Sequence, residues 1–233
     1  MIKEALNKLS YAVFPKRCAL CGEVVSLDEE VCEECRKLER ITGELCNKCG
    51  NPKADCSCDK ITKTPEYRRV VAPYYYEGSI AAGANRFKDF GFPELAPKMG
   101  EEIFRQIEEQ YNGIEFDCIT FVPLTKQKQK KRGYNQSELL AREVADRMQL
   151  PCIELIAKVR ATPQQKTRSA KQRKINLRGS FDLVEGLRIE GKTFLLIDDI
   201  KTTGSTLNEC AYVLNAYGAK AVYAAALCMT KNK

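Results

Sequence analysis

Residues 194–206 read FLLIDDIKTTGST. The four apolar residues 194–197 predict a short buried strand. Asp198 and Asp199 stand at its C-terminal end, followed by a small, hydroxyl-rich loop of Thr202, Thr203, Gly204, Ser205 and Thr206. Residues 207–214 (LNECAYVL) return to helical apolar spacing. Strand, acidic pair, loop and helix start together describe a cradle for a sugar phosphate. The backbone N–H groups of the loop and of the helix N-terminus attract a phosphate. Gly204 lets the backbone come close, and the Thr and Ser hydroxyls add donors. The two carboxylates can accept hydrogen bonds from neighbouring sugar hydroxyls. A plain strand-turn-helix has no use for two adjacent acids at a strand end.

The flanking sequence alternates strand and helix. Residues 69–76 (RVVAPYYY), 117–122 (DCITFV), 181–184 and 221–227 (AVYAAAL) read as strands. Residues 79–90, 94–111 and 136–148 read as helices, the last with Asn135 as its N-cap. This alternation implies an α/β fold with a mainly parallel sheet covered on both faces. Ligands in such sheets sit at the C-terminal strand ends. A second loop falls there, in VPLTKQKQKKRGYNQ at residues 122–136. Its Lys130, Lys131, Arg132 and Gly133 are placed to meet a pyrophosphate, as a basic loop between strand and helix. A third segment, residues 158–181, is polar and basic, and too long for an ordinary connection. It suits a lid closing over a ligand, or contact with a nucleic-acid backbone, with Arg160, Gln165, Arg173 and Asn176 as its polar candidates. Residues 186–193 (GLRIEGKT) match a P-loop pattern, but they lead into a strand rather than out of one. They read as a polar turn, and ATP hydrolysis by this motif is not expected.

Eight of the twelve cysteines lie between Cys18 and Cys58. Cys18 and Cys21, Cys32 and Cys35, and Cys46 and Cys49 form three C-x-x-C knuckles, and Cys56 and Cys58 close the series as C-x-C. Two tetrahedral zinc sites explain the count and spacing. A single zinc with four bystander cysteines, or a disulfide framework, are the competing readings. The spacing leaves the pairing open between sequential and interleaved, and shorter loop closure favours the sequential form. Gly22 and Gly50 follow their knuckles, where a tight turn is required. Cys118, Cys152, Cys210 and Cys228 sit in apolar surroundings and read as core. The predicted division is residues 1–60, a short N-terminal helix and a zinc-ribbon module, and residues 61–233, the α/β domain.

The chain has 233 residues, 44% of them hydrophobic, which is enough for a packed α/β domain and a small module. No apolar run reaches transmembrane length. Residues 1–15 are too polar for a signal peptide, so a cytoplasmic location without membrane insertion is the expectation. There is no histidine, which excludes Ser-His-Asp and Cys-His catalysis and leaves any zinc to cysteine, with carboxylate as the lesser alternative. The formal net charge is +7, unevenly spread: residues 126–178 hold fifteen Lys/Arg against four Asp/Glu, so the remainder is net negative. A local positive field of this size points to a polyanion, such as pyrophosphate or nucleic acid.

Four apolar residues, an acidic pair and a T-x-G-x-T-like loop resemble the phosphoribosyl pyrophosphate (PRPP) signature of type I phosphoribosyltransferases. The cysteine module, RGYNQ, the VRATPQQ-to-INL segment and DDIKTTGST occur in that order, and over nearly the whole chain they resemble the ComF family. That resemblance implies a double zinc ribbon joined to a phosphoribosyltransferase domain that binds PRPP with magnesium. It further implies a link to DNA uptake and its machinery, with single-stranded DNA as a partner. Asp198 and Asp199 would bind the ribose hydroxyls, Thr202 to Thr206 the 5′-phosphate, and Arg132 with its neighbours the pyrophosphate. Lys88, in FKDFG, matches a Lys-aromatic segment of the family. Thr202 stands where hypoxanthine-guanine enzymes carry an Asp, which argues against that purine chemistry and leaves the acceptor open. Two readings follow: a phosphoribosyltransferase of unknown acceptor, or a single-stranded-DNA-binding protein whose pocket is a ligand site without turnover. The oligomeric state is not legible.

Overall fold

The computed structural model describes residues 15–58, 64–158 and 180–231. The helix expected over residues 2–13 and most of the basic lid segment lie outside the described residues.

The cysteine-rich region holds one short helix, α1 (Glu33–Arg36). Two minimal strands follow, β1 (Val70–Val71) and β2 (Tyr74–Tyr75), where the sequence predicts one. Pro73 separates them, since it has no N–H to give to the ladder. Its carbonyl accepts the Ile41 N–H at 2.7 Å. Helices α2 (Gly78–Asp89) and α3 (Ala96–Gln110) precede β3 (Cys118–Phe121). Next come α4 (Lys126–Arg132) and α5 (Gln136–Met148). Strands β4 (Ile156–Lys158) and β5 (Phe181–Leu183) pair antiparallel as a small separate sheet. The chain closes with β6 (Thr193–Lys201), α6 (Ser205–Ala216) and β7 (Ala221–Met229).

The main sheet is parallel throughout, in the order β1-β7-β6-β3, with β2 also on β7. Side chains alternate across β6. Leu195 and Ile197 enter a core with α2, α3 and α5, whereas Phe194 and Leu196 enter a second core with α6 and the β4–β5 pair. Burial on both faces is why this strand reads as an unbroken apolar run rather than an alternating one. The antiparallel β4–β5 pair goes beyond the alternating pattern seen in sequence. β5 falls within the strand expected over residues 181–184, whereas β4, at three residues, carries too little periodicity to be read.

The cysteine region is not an appendage on this sheet. Cys18, Leu20, Cys21, Val25 and Cys35 belong to the same buried cluster as Phe87, Met99 and Ile103. Gly83 on α2 sits so close that a Cβ there would lie 2.1 Å from the Leu20 carbonyl oxygen. Gly50, at φ 82°, comes as close to β1: a Cβ would lie 2.7 Å from the Val70 carbonyl oxygen. Arg40 pairs with the buried Glu102 on α3 and donates to Gln106 at 3.0 Å. Gln106 donates to the Ile41 carbonyl at 2.8 Å, and the Tyr74 hydroxyl donates to Glu102 at 2.8 Å. These contacts partner the buried Glu102 and Gln106 out of water, while Arg40 Nε is left without a partner among the described residues.

Candidate functional site

Strand β6 runs longer than the apolar run that signals it. The ladder to β7 continues through Asp198, Ile200 and Lys201, so the acidic pair lies within the strand. Asp198 is buried at 8% exposure. Its Oδ1 accepts the Ser137 hydroxyl and the Asp199 N–H, both at 2.9 Å. Asp199 is more open: its Oδ1 accepts the Ile200 N–H at 2.8 Å, and its Oδ2 lies 3.9 Å from the Lys88 ammonium. Burial pushes the Asp198 carboxyl well above the usual carboxylate range, and the Asp199 charge adds to that push. The pair is therefore primed to take up donors or positive charge at its open edge.

Past Lys201 the chain turns through Thr202, Thr203 and Gly204. Gly204 caps α6 in the left-handed conformation at φ 77°. The Thr203 and Ser205 hydroxyls lie 2.8 Å apart, and the Ser205 N–H donates to Thr203 Oγ1 at 3.3 Å. Thr202, Thr203, Ser205 and Thr206 are exposed. A helix N-terminus carries first-turn N–H groups without intrahelical partners, which suits an anion site, although the Ser205 N–H is here engaged by Thr203. Beside this turn opens a cleft of about 220 Å³, lined by Lys48, Tyr67, Lys201, Thr203, Ser205 and Asn208. The Tyr67 hydroxyl donates to the Lys48 carbonyl at 3.0 Å, fastening the cysteine region to the cleft. Lys201 is 4% exposed, and burial lowers its ammonium while the nearby thiols of Cys49, Cys58 and Cys46 oppose that shift.

A second cleft, of about 580 Å³, opens at Lys88, the partner of Asp199. Lys128, Lys131 and Arg132 line it from α4, and Lys88, Asp89 and Gly91 from the end of α2. The expected basic loop is largely a helix. Thr125 caps it by accepting the Lys128 N–H at 3.2 Å, and Gly133 ends it at φ 84°. Gln, Lys and Arg are good helix formers, and the run between these caps contains nothing else. Arg132 is engaged within the protein, donating to Gln136 and to Asp89 at 3.2 Å each. Lys128 and Lys131 are the exposed cations of the cleft.

RGYNQ acts as a fastener. Asn135 caps α5 as predicted, accepting the Ser137 N–H at 3.1 Å while donating to the Val122 carbonyl at 3.0 Å. Tyr134 donates to the Phe87 carbonyl, and Gln136 to the Lys88 carbonyl at 3.3 Å. These bonds tie the start of α5 to the end of α2, bringing Ser137 to Asp198 and Lys88 to Asp199. Sequence reasoning missed Ser137 and Lys201. The only signal for Ser137 was a hydroxyl two residues after an N-cap, and Lys201 carried none. Arg160, Gln165, Arg173 and Asn176 lie outside the described residues. Residues 186–193 form the turn into β6, with Lys192 at the opposite end of the sheet from Asp198.

The eight N-terminal cysteines gather into two groups, Cys18 with Cys21, Cys32 and Cys35, and Cys46 with Cys49, Cys56 and Cys58. The pairing is sequential, and within each group all sulfurs lie within 4.8 Å of one another. Cys21 and Cys32 sulfurs are 3.6 Å apart, and those of Cys49 and Cys56 are 3.7 Å apart. A tetrahedron with zinc–sulfur arms of about 2.3 Å has edges of about 3.8 Å, so both groups fit zinc. The N–H groups of Cys21 and Cys32 point at the Cys18 sulfur at 3.5 and 3.3 Å, which supports thiolate charge. Cys118, Cys210 and Cys228 are buried as core, whereas Cys152 is half-buried. Among the described residues no helix is long and apolar enough to cross a membrane.

The double zinc ribbon domain family matches residues 9–64, and the phosphoribosyl transferase domain family matches residues 135–233. The protein is thus of the class that joins a double zinc ribbon to a phosphoribosyltransferase-type α/β sheet. It is 32% identical to the DNA utilization protein YhgH of Salmonella typhimurium over 226 residues, covering 93% of this chain and 98% of that one. It is 30% identical to the competence protein ComFC of Bacillus subtilis over 196 residues, covering 80% and 78%. The chain belongs to the ComF family. Among solved structures, the glutamine PRPP amidotransferase from B. subtilis complexed with ADP and GMP matches with a TM-score of 0.44 at 19% identity, over 62% of this chain and 30% of that one.

Proposed function

We propose that the protein binds PRPP, with magnesium, across the C-terminal end of β6, and serves a ComF-type role in handling DNA taken up by the cell. One observation carries the reading: the buried Asp198 and half-buried Asp199 stand on the strand whose Lys201 lines one cation-lined cleft, and Asp199 lies 3.9 Å from Lys88, which lines another. PRPP has that charge layout, with a phosphate at one end, a pyrophosphate at the other and a diol between. Asp198 and Asp199 would hold the ribose hydroxyls, Thr202 to Thr206 the 5′-phosphate, and Lys88, Lys128 and Lys131 the pyrophosphate. Arg132 and Gly133 would shape that second cleft rather than reach into it. Magnesium, when bound, supplies positive charge to the pyrophosphate.

Were turnover to occur, pyrophosphate would leave C1 of the ribose as positive charge grows on the sugar. The lysines would stabilise the leaving charge, and the carboxylates would fix the ring. Calorimetry tests the binding. We expect magnesium-dependent PRPP binding in the wild type and none in Asp198→Asn combined with Asp199→Asn. Wild-type protein that ignores PRPP would sink the reading.

The names of the relatives and the basic surplus at residues 126–178 favour a second reading, single-stranded DNA binding with the pocket as a ligand sensor. Its signature is affinity for single-stranded DNA that falls steeply with salt.

A further inference from the structure

The cleft beside α6 is built from two parts of the chain that the sequence presents as separate. Lys48 and Cys49 enter it from the second cysteine group, while Lys201, Thr203 and Ser205 enter from the end of β6 and the turn. Tyr67 bridges them: its hydroxyl bonds the Lys48 carbonyl, and it would lie 3.1 Å from a Cβ on Gly204. Lys201 is the unusual group. It is 4% exposed and borders the cleft, and its ammonium has no hydrogen-bond or ion-pair partner among the described residues. A buried ammonium without a partner is costly unless a ligand or a nearby negative group answers it. Lys201 borders the cleft and lies near Cys46, Cys49 and Cys58, which as a zinc tetrathiolate would carry a net negative charge.

Resting on the PRPP reading, we propose that the second ribbon is a working wall of the phosphate site. Lys48 and Lys201 meet the terminal phosphate of a sugar phosphate, and metal in the ribbon and phosphate in the cleft stabilise one another. Removing zinc frees the knuckle that carries Lys48 and Cys49 and removes the wall that positions Lys201. Linkage requires the effect to run both ways: a bound sugar phosphate must strengthen retention of the second zinc.

The test uses the full zinc-loaded chain and three probes: ribose 5-phosphate, pyrophosphate and PRPP. We expect Lys201→Met and Lys48→Gln each to weaken ribose 5-phosphate at least threefold, with zinc content unchanged and pyrophosphate affinity within twofold of wild type. Ribose 5-phosphate should raise the chelator concentration that strips the second zinc, and Lys48→Gln should reduce that protection. If Lys201→Met loses zinc or fails to fold, Lys48→Gln on the half-buried knuckle decides. A loss below threefold in Lys48→Gln, or no protection of zinc, overturns the inference. That result beside PRPP binding that depends on Asp198 and Asp199 leaves the function standing. Lys201-dependent binding of ribose 5-phosphate without PRPP binding does the reverse.

Discussion

Asp198 shows how a single buried carboxyl weighs on the stability of the fold. Its carboxyl holds a proton in the folded state to a higher pH than in the unfolded chain. Between those two values the folded state binds more protons, so stability falls as pH rises through that window and is level above it. Asp198→Asn keeps an acceptor for the Ser137 hydroxyl but has no charge to desolvate. We expect it to melt higher than wild type at pH 8, with the gap closing towards pH 4, while losing PRPP binding. Thermal melts across that range check the first half, and calorimetry the second. Ser137→Ala should act more mildly, weakening PRPP binding without abolishing it, because Asp198 keeps its backbone donor.

Among the elements, α4 is the one whose charge was legible and whose shape was not. KQKQKKR announces an anion site by charge, but with no apolar residue it has no periodicity to mark a helix. Only its caps, Thr125 and Gly133, specify it. Changing Lys128 and Lys131 together to Gln should leave the melting temperature unchanged, since neither ammonium makes an ion pair among the described residues. It should weaken both pyrophosphate and PRPP and flatten the salt dependence of binding, measured by titration at two ionic strengths. Strand β6 was the opposite case. Its apolar run and acidic pair were readable because burial on both faces and a polar edge leave direct marks on composition. The continuation of the strand to Lys201 was not readable, since only pairing with β7 defines it. The four-cysteine groups were legible from spacing, whereas the pairing was left open there, with loop length only favouring the sequential form that the structure shows. Their seating against α2 and β1 was not, because it depends on single glycines meeting carbonyls far away in sequence.

On the scale of the molecule, both cysteine groups pack onto the α/β domain next to the candidate site. The first seats on α2, whose last turn carries Lys88 to Asp199; the second borders the cleft at Lys201. Gly83→Ala should therefore disturb more than local packing. A Cβ there meets backbone rather than a yielding side chain, so we expect a loss of about 1–3 kcal/mol, read by denaturant unfolding, with weaker PRPP binding in the same variant. Because the cysteine region and the helices share one core, calorimetric unfolding should show a single transition that moves down as zinc is removed, rather than two independent ones. The contact at Gly83 also bears on how such a chain can be altered or rebuilt. A glycine held against another segment's main chain is a groove cut to one shape, and it has no use once that segment is taken away. Residues 61–233 expressed alone would present that groove, with Phe87 and Met99 beneath it, to water. The ribbon is better regarded as a missing piece of the sheet domain's own surface than as a module to be exchanged for another.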